Sequence, residues 1–298
     1  MPDKSKEQRL VPLLIDVQRD LDRDIDLESL ASRFGTSTFH FHRVFSGFIG
    51  ETPKKHIERL RLEKAAYLLA ITDDPVVDIG LAVGFKNPET FARNFRKFIG
   101  HSPSGYRRMA KLAQAERLKN VDFFATDEYR LSKARFEELP ATPVLAIRRM
   151  GQYGEVNRSF GAERHSWHEL LEWARKRGAC ASPVFIGLFY DDPTMTPNAL
   201  QRCDVCVPVD RSVAGTDQIR YTRFEGGWYG IVEYIGRIDT ILSAFRGLAD
   251  EIRRSGAYAF RDGPSLEFFR TPNVGGQSGV HRIDACLPVE PKNKRRRK

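Results

Sequence analysis

The chain has 298 residues, enough for two domains at about 150 residues each. Its 41% hydrophobic and 29% charged content excludes a disordered or collagen-like chain. The longest unbroken apolar run, Ala65–Ile71, falls far short of the roughly 20 residues that span a bilayer. The net charge of +9 hints at nucleic acid, but its placement weakens the hint. Residues 1–110 carry 18 Lys+Arg against 15 Asp+Glu, residues 111–291 carry 24 of each, and the closing KNKRRRK adds six positive charges. A case for DNA must therefore rest on pattern. Four scattered cysteines do not make a disulfide framework, and the start MPDKSKEQRL has no apolar stretch. Both features lead us to expect a cytoplasmic chain with no membrane partner.

Residues 6–110 are expected to be helical nearly throughout. Apolar residues recur at three- and four-residue spacing in Leu10, Leu13, Leu14, Val17, Leu21 and again in Ile57, Leu60, Leu62, Ala65, Leu68, Leu69. Glycine and proline punctuate them. Phe41, Arg43, Phe45, Phe48, Gly50 and Pro53 return fifty residues later as Phe91, Arg93, Phe95, Phe98, Gly100 and Pro103, so one supersecondary unit occurs twice. In the first copy Asp26 can cap a helix over Leu27–Phe34, Gly35 breaks it, and Ser37 opens a second helix ending near Phe48. Leu30, Phe34, Phe41, Val44 and Phe45 should face inward, and Ala31 is small enough for two helices to cross there. The second copy repeats this with Ile79, Gly80, Val83 and Gly84, then a helix from about Asn87 to Phe98 after a turn one residue longer. A small residue, three spacers and a glycine between two short amphipathic helices mark a helix-turn-helix.

The stretch Phe91-x-Arg93-x-Phe95-x-x-Phe98-x-Gly100-x-Ser102-Pro103-x-x-Tyr106-Arg107 completes the pattern. Over about residues 6–110 the chain resembles the tandem DNA-binding domain of the AraC/XylS transcription regulators. The resemblance implies double-stranded DNA as partner, with RNA polymerase a further one. It makes Lys54–Ala70 a strut, with Lys55, Arg59 and Arg61 on its polar side. It also implies base-edge positions at Phe39, His42 and Arg43 in the first reading helix, with Ser37, Thr38 and His40 beside them. In the second helix the matching positions are Pro88, Glu89, Ala92 and Arg93, with Lys86, Asn87, Arg96 and Lys97 nearer the phosphates. Phe39 departs from the family, in which a larger aromatic is usual. His40 and His42 also read as an ordinary wetted helix face, and Glu89 either accepts from a cytosine amino group or repels phosphate.

Residues 107–124 remain helix-like but lose the repeat, and near Ala125–Tyr129 the composition changes. Short apolar runs at Val144–Ile147, Val184–Tyr190, Val205–Val209, Tyr229–Tyr234 and Ile283–Val289 read as strands. Helical patterns cover about Phe160–Arg177 and Ile238–Gly256. Asp204, Cys206, Pro208 and Val209 recur as Asp284, Cys286, Pro288 and Val289, eighty residues on, so this half is also duplicated as two β-α-β-β repeats. Met150-Gly151-Gln152-Tyr153, Tyr190-Asp191-Asp192-Pro193, Tyr234-Ile235-Gly236 and Pro264-Ser265-Leu266-Glu267-Phe268-Phe269 resemble the GyrI-like effector-binding domain. The expected fold is thus multidomain: an all-α tandem helix-turn-helix domain (1–110), a linker (111–126), an α+β GyrI-like domain of two pseudo-symmetric repeats (127–290) and a basic tail (291–298).

Glu267 is out of place between Leu266 and Phe268 in a strand, and its repeat counterpart is Gly187. Either it points to solvent or it lines a groove, as the resembled family uses a carboxylate to meet ligands with positive charge or donor groups. A buried carboxylate needs a partner, which an amphipathic or cationic effector would supply. Tyr153, Trp167, Phe189, Trp228, Tyr229 and Phe269 are the candidate aromatic walls. A hydrolase using Glu267 as general base, with Tyr153 or a neighbour assisting, or a protein-interaction module, is the alternative. No cofactor or metal is expected. Cys203-x-x-Cys206 lacks a second pair and its residues should point to opposite strand faces, and His165 and His168 have no third ligand.

Overall fold

The computed structural model describes residues 4–119, 128–151, 153, 166–179, 184–216, 218–269 and 280–292. Gln152, His165 and the tail from residue 293 lie outside them. The chain divides into two compact units, Met1–Ala115 and Glu116–Lys298.

The first unit consists of seven helices: α1 (Lys4–Arg19), α2 (Leu27–Phe34), α3 (Thr38–Ile49), α4 (Pro53–Ile71), α5 (Val76–Ala82), α6 (Pro88–Ile99) and α7 (Pro103–Lys119). Local chemistry sets their ends. Asp26 accepts from the amides of Glu28 and Ser29 to cap α2, and Gly35 closes it at φ +79°. Ser37 accepts from the His40 amide at the start of α3, and Asn87 accepts from Glu89 and Thr90 at the start of α6. The repeat shows again in packing. Phe34, Phe41, Phe45 and His56 form a run of ring contacts in the first copy, and Phe85, Phe91, Phe95 and Tyr106 form one in the second, at 5.3–5.7 Å between centroids. Ala31 is buried at the first crossing. At the second, a Cβ on Gly80 would come within 2.7 Å of the Phe91 ring, so only glycine fits. The last helix, α7, continues to Lys119, into the stretch expected as linker, because Met109–Lys119 contains only good helix formers.

The second unit holds β1 (Tyr129–Leu131), β2 (Arg135–Leu139), β3 (Thr142–Met150), α8 (Ser166–Lys176), β4 (Phe185–Phe189), β5 (Arg202–Pro208), β6 (Ile219–Phe224), β7 (Gly227–Arg237), α9 (Leu242–Ser255), β8 (Tyr258–Phe260), β9 (Ser265–Phe269) and β10 (Val280–Pro291). The strands form one antiparallel sheet in the order β1-β7-β10-β9-β4-β5-β3-β6, with β2 also on β7 and β8 on β10. Its symmetry explains the sequence repeat. β5 lies between β3 and β4 as β10 lies between β7 and β9, and the halves join through β4 and β9. At that seam Phe185 faces Phe269, Gly187 faces Glu267 and Phe189 faces Ser265, a register unchanged when the two halves are exchanged. The local two-fold therefore passes through the Gly187–Glu267 pair. One sheet face buries Val144, Ala146, Ile186, Leu188, Cys206, Phe224, Tyr229, Ile231, Leu266 and Cys286. No helix among the described residues is long and apolar enough to cross a membrane.

Candidate functional site

The two reading helices present the same design. On α3 the inward stripe is Phe41, Phe45 and Ile49, whereas Thr38, Phe39, His42 and Arg43 are exposed. Phe39 is 81% exposed, an unusual position for a phenyl ring that no fold requirement explains. Arg43 Nη2 lies 3.3 Å from His40 Nδ1, so His40 steadies the guanidinium beside it. On α6, Phe91 and Phe95 point inward, while Lys86, Asn87, Pro88, Glu89, Arg93, Arg96 and Lys97 are exposed. Ala92 and Val44 are half-buried. Ser37 and Asn87 carry a second duty as caps, which leaves only the remaining hydrogen-bonding capacity of each for a ligand. Lys86 is paired with Asp24 at 2.7 Å, and that ion pair holds the Asp24 carboxyl below its ordinary value.

The strut departs from expectation. Lys55 is exposed, but Arg59 is only 6% exposed and donates to Glu51 at 2.8 Å and to Glu63 at 3.0 Å. Buried with it, His56 Nδ1 lies 2.8 Å from the same Glu51 oxygen. Burial pushes the Glu51 carboxyl up, and the hydrogen bonds from His56 and Arg59 more than reverse this, leaving it below its ordinary value. Arg59 is thus a cross-link at the α3–α4 turn. Nor does Arg61 reach outward, because its guanidinium donates to two main-chain carbonyls in the α1–α2 turn.

In the second unit Glu267 is 3% exposed. Strand alternation puts Ser265, Glu267 and Phe269 on the face opposite Leu266. Trp167 of α8 lies on that face, stacked on Phe185 at 5.0 Å and tilted against Phe269 at 4.9 Å. Opposite Glu267, Gly187 leaves room that the Phe189 ring takes up, since a Cβ there would be 2.7 Å from it. Tyr153 closes on Phe189 edge to face at 4.9 Å. Its hydroxyl donates to the Arg202 carbonyl and accepts from the Asp191 amide, each at 2.9 Å. Burial and the Asp191 charge push that phenol above its ordinary value. Cys203 feels the same site: burial first, then the Asp204 and Glu267 charges against that of Arg148, push its thiol up. Its strand neighbour Cys206 packs in the cluster of the opposite face, as expected for residues three apart.

The six expected walls therefore divide. Phe189 and Phe269 share the sheet face of Glu267, with Tyr153 against Phe189 and Trp167 against Phe269, but Tyr229 packs with Leu266 on the other face. Trp228 points to the Glu267 side but sits four residues along β7 from Val232, roughly 13 Å away. It packs on Tyr258 instead. Strand parity fixes a face within one strand, and the sequence does not carry it from β7 to β9.

The sequence reading also missed a buried polar cluster on the Leu266 face. Asp204 accepts from Arg148 Nε at 2.6 Å and Nη2 at 3.1 Å and from the Tyr190 hydroxyl at 2.8 Å, with Arg220 at 2.9 Å. Burial pushes its carboxyl up, but Arg148, Arg220 and Tyr190 hold it far below its ordinary value. Its repeat counterpart Asp284 accepts from Arg135 at 2.7 Å.

Comparison with known proteins agrees with this division. A helix-turn-helix domain family matches residues 30–109, and the GyrI-like small molecule binding domain family matches residues 132–290. The transcriptional regulator Rob of Salmonella typhimurium is 26% identical over 231 residues, which cover 75% of this chain and 77% of that protein. The right origin-binding protein of Escherichia coli K12 is 27% identical over 164 residues, covering 53% of this chain and 55% of that one. The MmsAB operon regulatory protein of Pseudomonas aeruginosa is 38% identical over 87 residues, 29% of this chain and 28% of its own. The chain belongs to the GyrI-like family and, through its AraC-type helix-turn-helix unit, to the DNA-binding transcription regulators.

Proposed function

We propose that the chain reads two successive major grooves with α3 and α6 and that a small amphipathic or cationic molecule, bound at Glu267, modulates this reading. One observation carries the first part: two helices with the same aromatic inner stripe expose Phe39, His42 and Arg43 on one and Glu89 and Arg93 on the other. Arginine can bind guanine in bidentate fashion, and an apolar ring can meet a thymine methyl in that groove. Thr38, Ser37, Lys86, Asn87, Arg96 and Lys97 flank the reading positions and suit the phosphates. The sensing part is supported by a buried carboxylate on the two-fold, on a sheet face that also carries Phe189 and Phe269, with Tyr153 and Trp167 packed on those rings. A ligand there shifts DNA binding only if the DNA-competent states differ in affinity for it.

The regulator reading is favoured over hydrolysis. The Tyr153 hydroxyl, the expected helper of a Glu267 base, is engaged by Asp191 and Arg202. Two of the three relatives described above carry the names of regulators.

Calorimetry with cationic aromatic amphiphiles and their neutral isosteres tests the sensing part. Glu267→Gln is expected to lose about 10- to 100-fold in affinity for the cations, the size of a hydrogen bond to a charged group, and little for the isosteres. Equal losses for both ligand sets would remove Glu267 as the charge partner. Turnover of a reactive test compound, lost in the same variant, would favour the enzyme instead.

A further inference from the structure

We propose that Arg61 is the positioning residue that locks the two helix-turn-helix units to one another and so sets the half-site separation and phase that the chain accepts. Its Nε donates to the Leu21 carbonyl at 2.9 Å and its Nη2 to the Arg23 carbonyl at 2.7 Å, both in the turn that leads into the first unit. The turn of the second unit rests on the same two groups. Gly84 stands at φ +95°, and a Cβ there would lie 2.8 Å from the Arg61 Cζ and press on the Leu21 carbonyl oxygen. Two residues on, Lys86 reaches Asp24 at 2.7 Å, a contact exposed at both ends and worth little by itself. Three segments thus meet at one guanidinium: the α1–α2 turn, the long helix α4 and the α5–α6 turn.

The chemistry suits arginine. A planar fork of five N–H donors can hold two carbonyls while its face receives a glycine turn, whereas an ammonium has neither the fork nor the flat face. Helix α4 alone connects the units end to end, and Arg61 braces the second against the approach to the first. One base pair changes half-site separation by about 3.4 Å and phase by about 35°. A braced pair of readers should reject that change, and an unbraced pair should tolerate it.

The inference rests on the reading that both α3 and α6 enter DNA, and the test separates the two. The full chain selects a duplex from a random library. That duplex is then made with one base pair added or removed between its half-sites, and with one half-site scrambled. Wild type should lose about tenfold or more on each shifted duplex. Arg61→Ala should bind the selected duplex about tenfold more weakly, because looser coupling lowers the effective concentration of the second reader, and its shift penalty should fall within about threefold. Its affinity for the scrambled duplex and its salt dependence should equal wild type. Arg61→Lys should be intermediate, and the proposal is judged on that variant if Arg61→Ala does not fold. An unchanged spacing profile overturns the proposal. So does an equal loss on intact and scrambled duplexes, which a merely structural role would give. A salt slope lower by about one would make Arg61 a phosphate contact instead. If scrambling either half-site costs wild type nothing, the two-groove reading itself fails.

Discussion

Asp204→Ala is expected to destabilise the second unit by about 3–5 kcal/mol, the usual cost of leaving a buried charge without its partner. Asp204 pairs with both Arg148 and Arg220, and it also receives the Tyr190 hydroxyl. Removing it leaves the Arg148 guanidinium buried against the Tyr190 ring, 4.6 Å from its centroid, where water cannot solvate it. All three tryptophans, Trp167, Trp173 and Trp228, lie in this unit, so tryptophan emission during urea unfolding follows it alone. The pH dependence has a definite sign. The Asp204 carboxyl is depressed in the folded state, so its contribution is complete above the unfolded carboxylate range near 4 and is lost as pH falls below it. Wild type should therefore lose stability between about pH 5 and pH 2, and Asp204→Ala should lose less over the same span. Replacing Asp204, Arg148 and Arg220 together by apolar residues should cost less than Asp204→Ala alone. A tryptophan transition that Asp204→Ala leaves unmoved would show that the cluster is not what holds β3, β5 and β6 together.

Arg59→Ala should act on the other unit with similar size. Glu51 and Glu63 would lose the guanidinium between them, at a cost of about 3–5 kcal/mol. Because seven helices lie in the first unit, circular dichroism at 222 nm reports mainly on it. Its midpoint should fall while the tryptophan transition stays in place. If Arg59 faced outward as a strut cation would, the variant should instead unfold like wild type and bind DNA more weakly with a shallower salt slope.

What the sequence disclosed depends on how far each signal reaches along the chain. Caps and turns are local: Asp26, Gly35 and Ser37 were legible because each acts within three or four residues of itself. The duplications were legible because repetition makes weak local patterns strong, and the seam between β4 and β9 explains why Gly187 and Glu267 are counterparts. Side-chain partners at long range were not. Arg148 lies 56 residues from Asp204 and Arg61 lies 40 from Leu21, and nothing in the spacing distinguishes such an arginine from a solvated one. Arg59 misled for a similar reason, since its Glu63 partner at i+4 is also what an exposed helix pair would show. Glu267 stood out because a carboxylate interrupts an apolar strand. Nothing in the sequence separates Tyr229 from the rings on the Glu267 face, because aromatic content alone says nothing about which sheet face a residue takes.

The proposed function requires that α3 and α6 read two successive grooves. Base preferences of wild type, Arg43→Ala and Arg93→Ala, measured on every single-base variant of the selected duplex, test it most directly. Each substitution should cost about 1–3 kcal/mol and relax preference at its own position, and the two relaxed positions should lie one helical turn, about 10 base pairs, apart. Both variants relaxing the same half-site, or one of them leaving every preference intact, would show that the two helices do not read separate grooves.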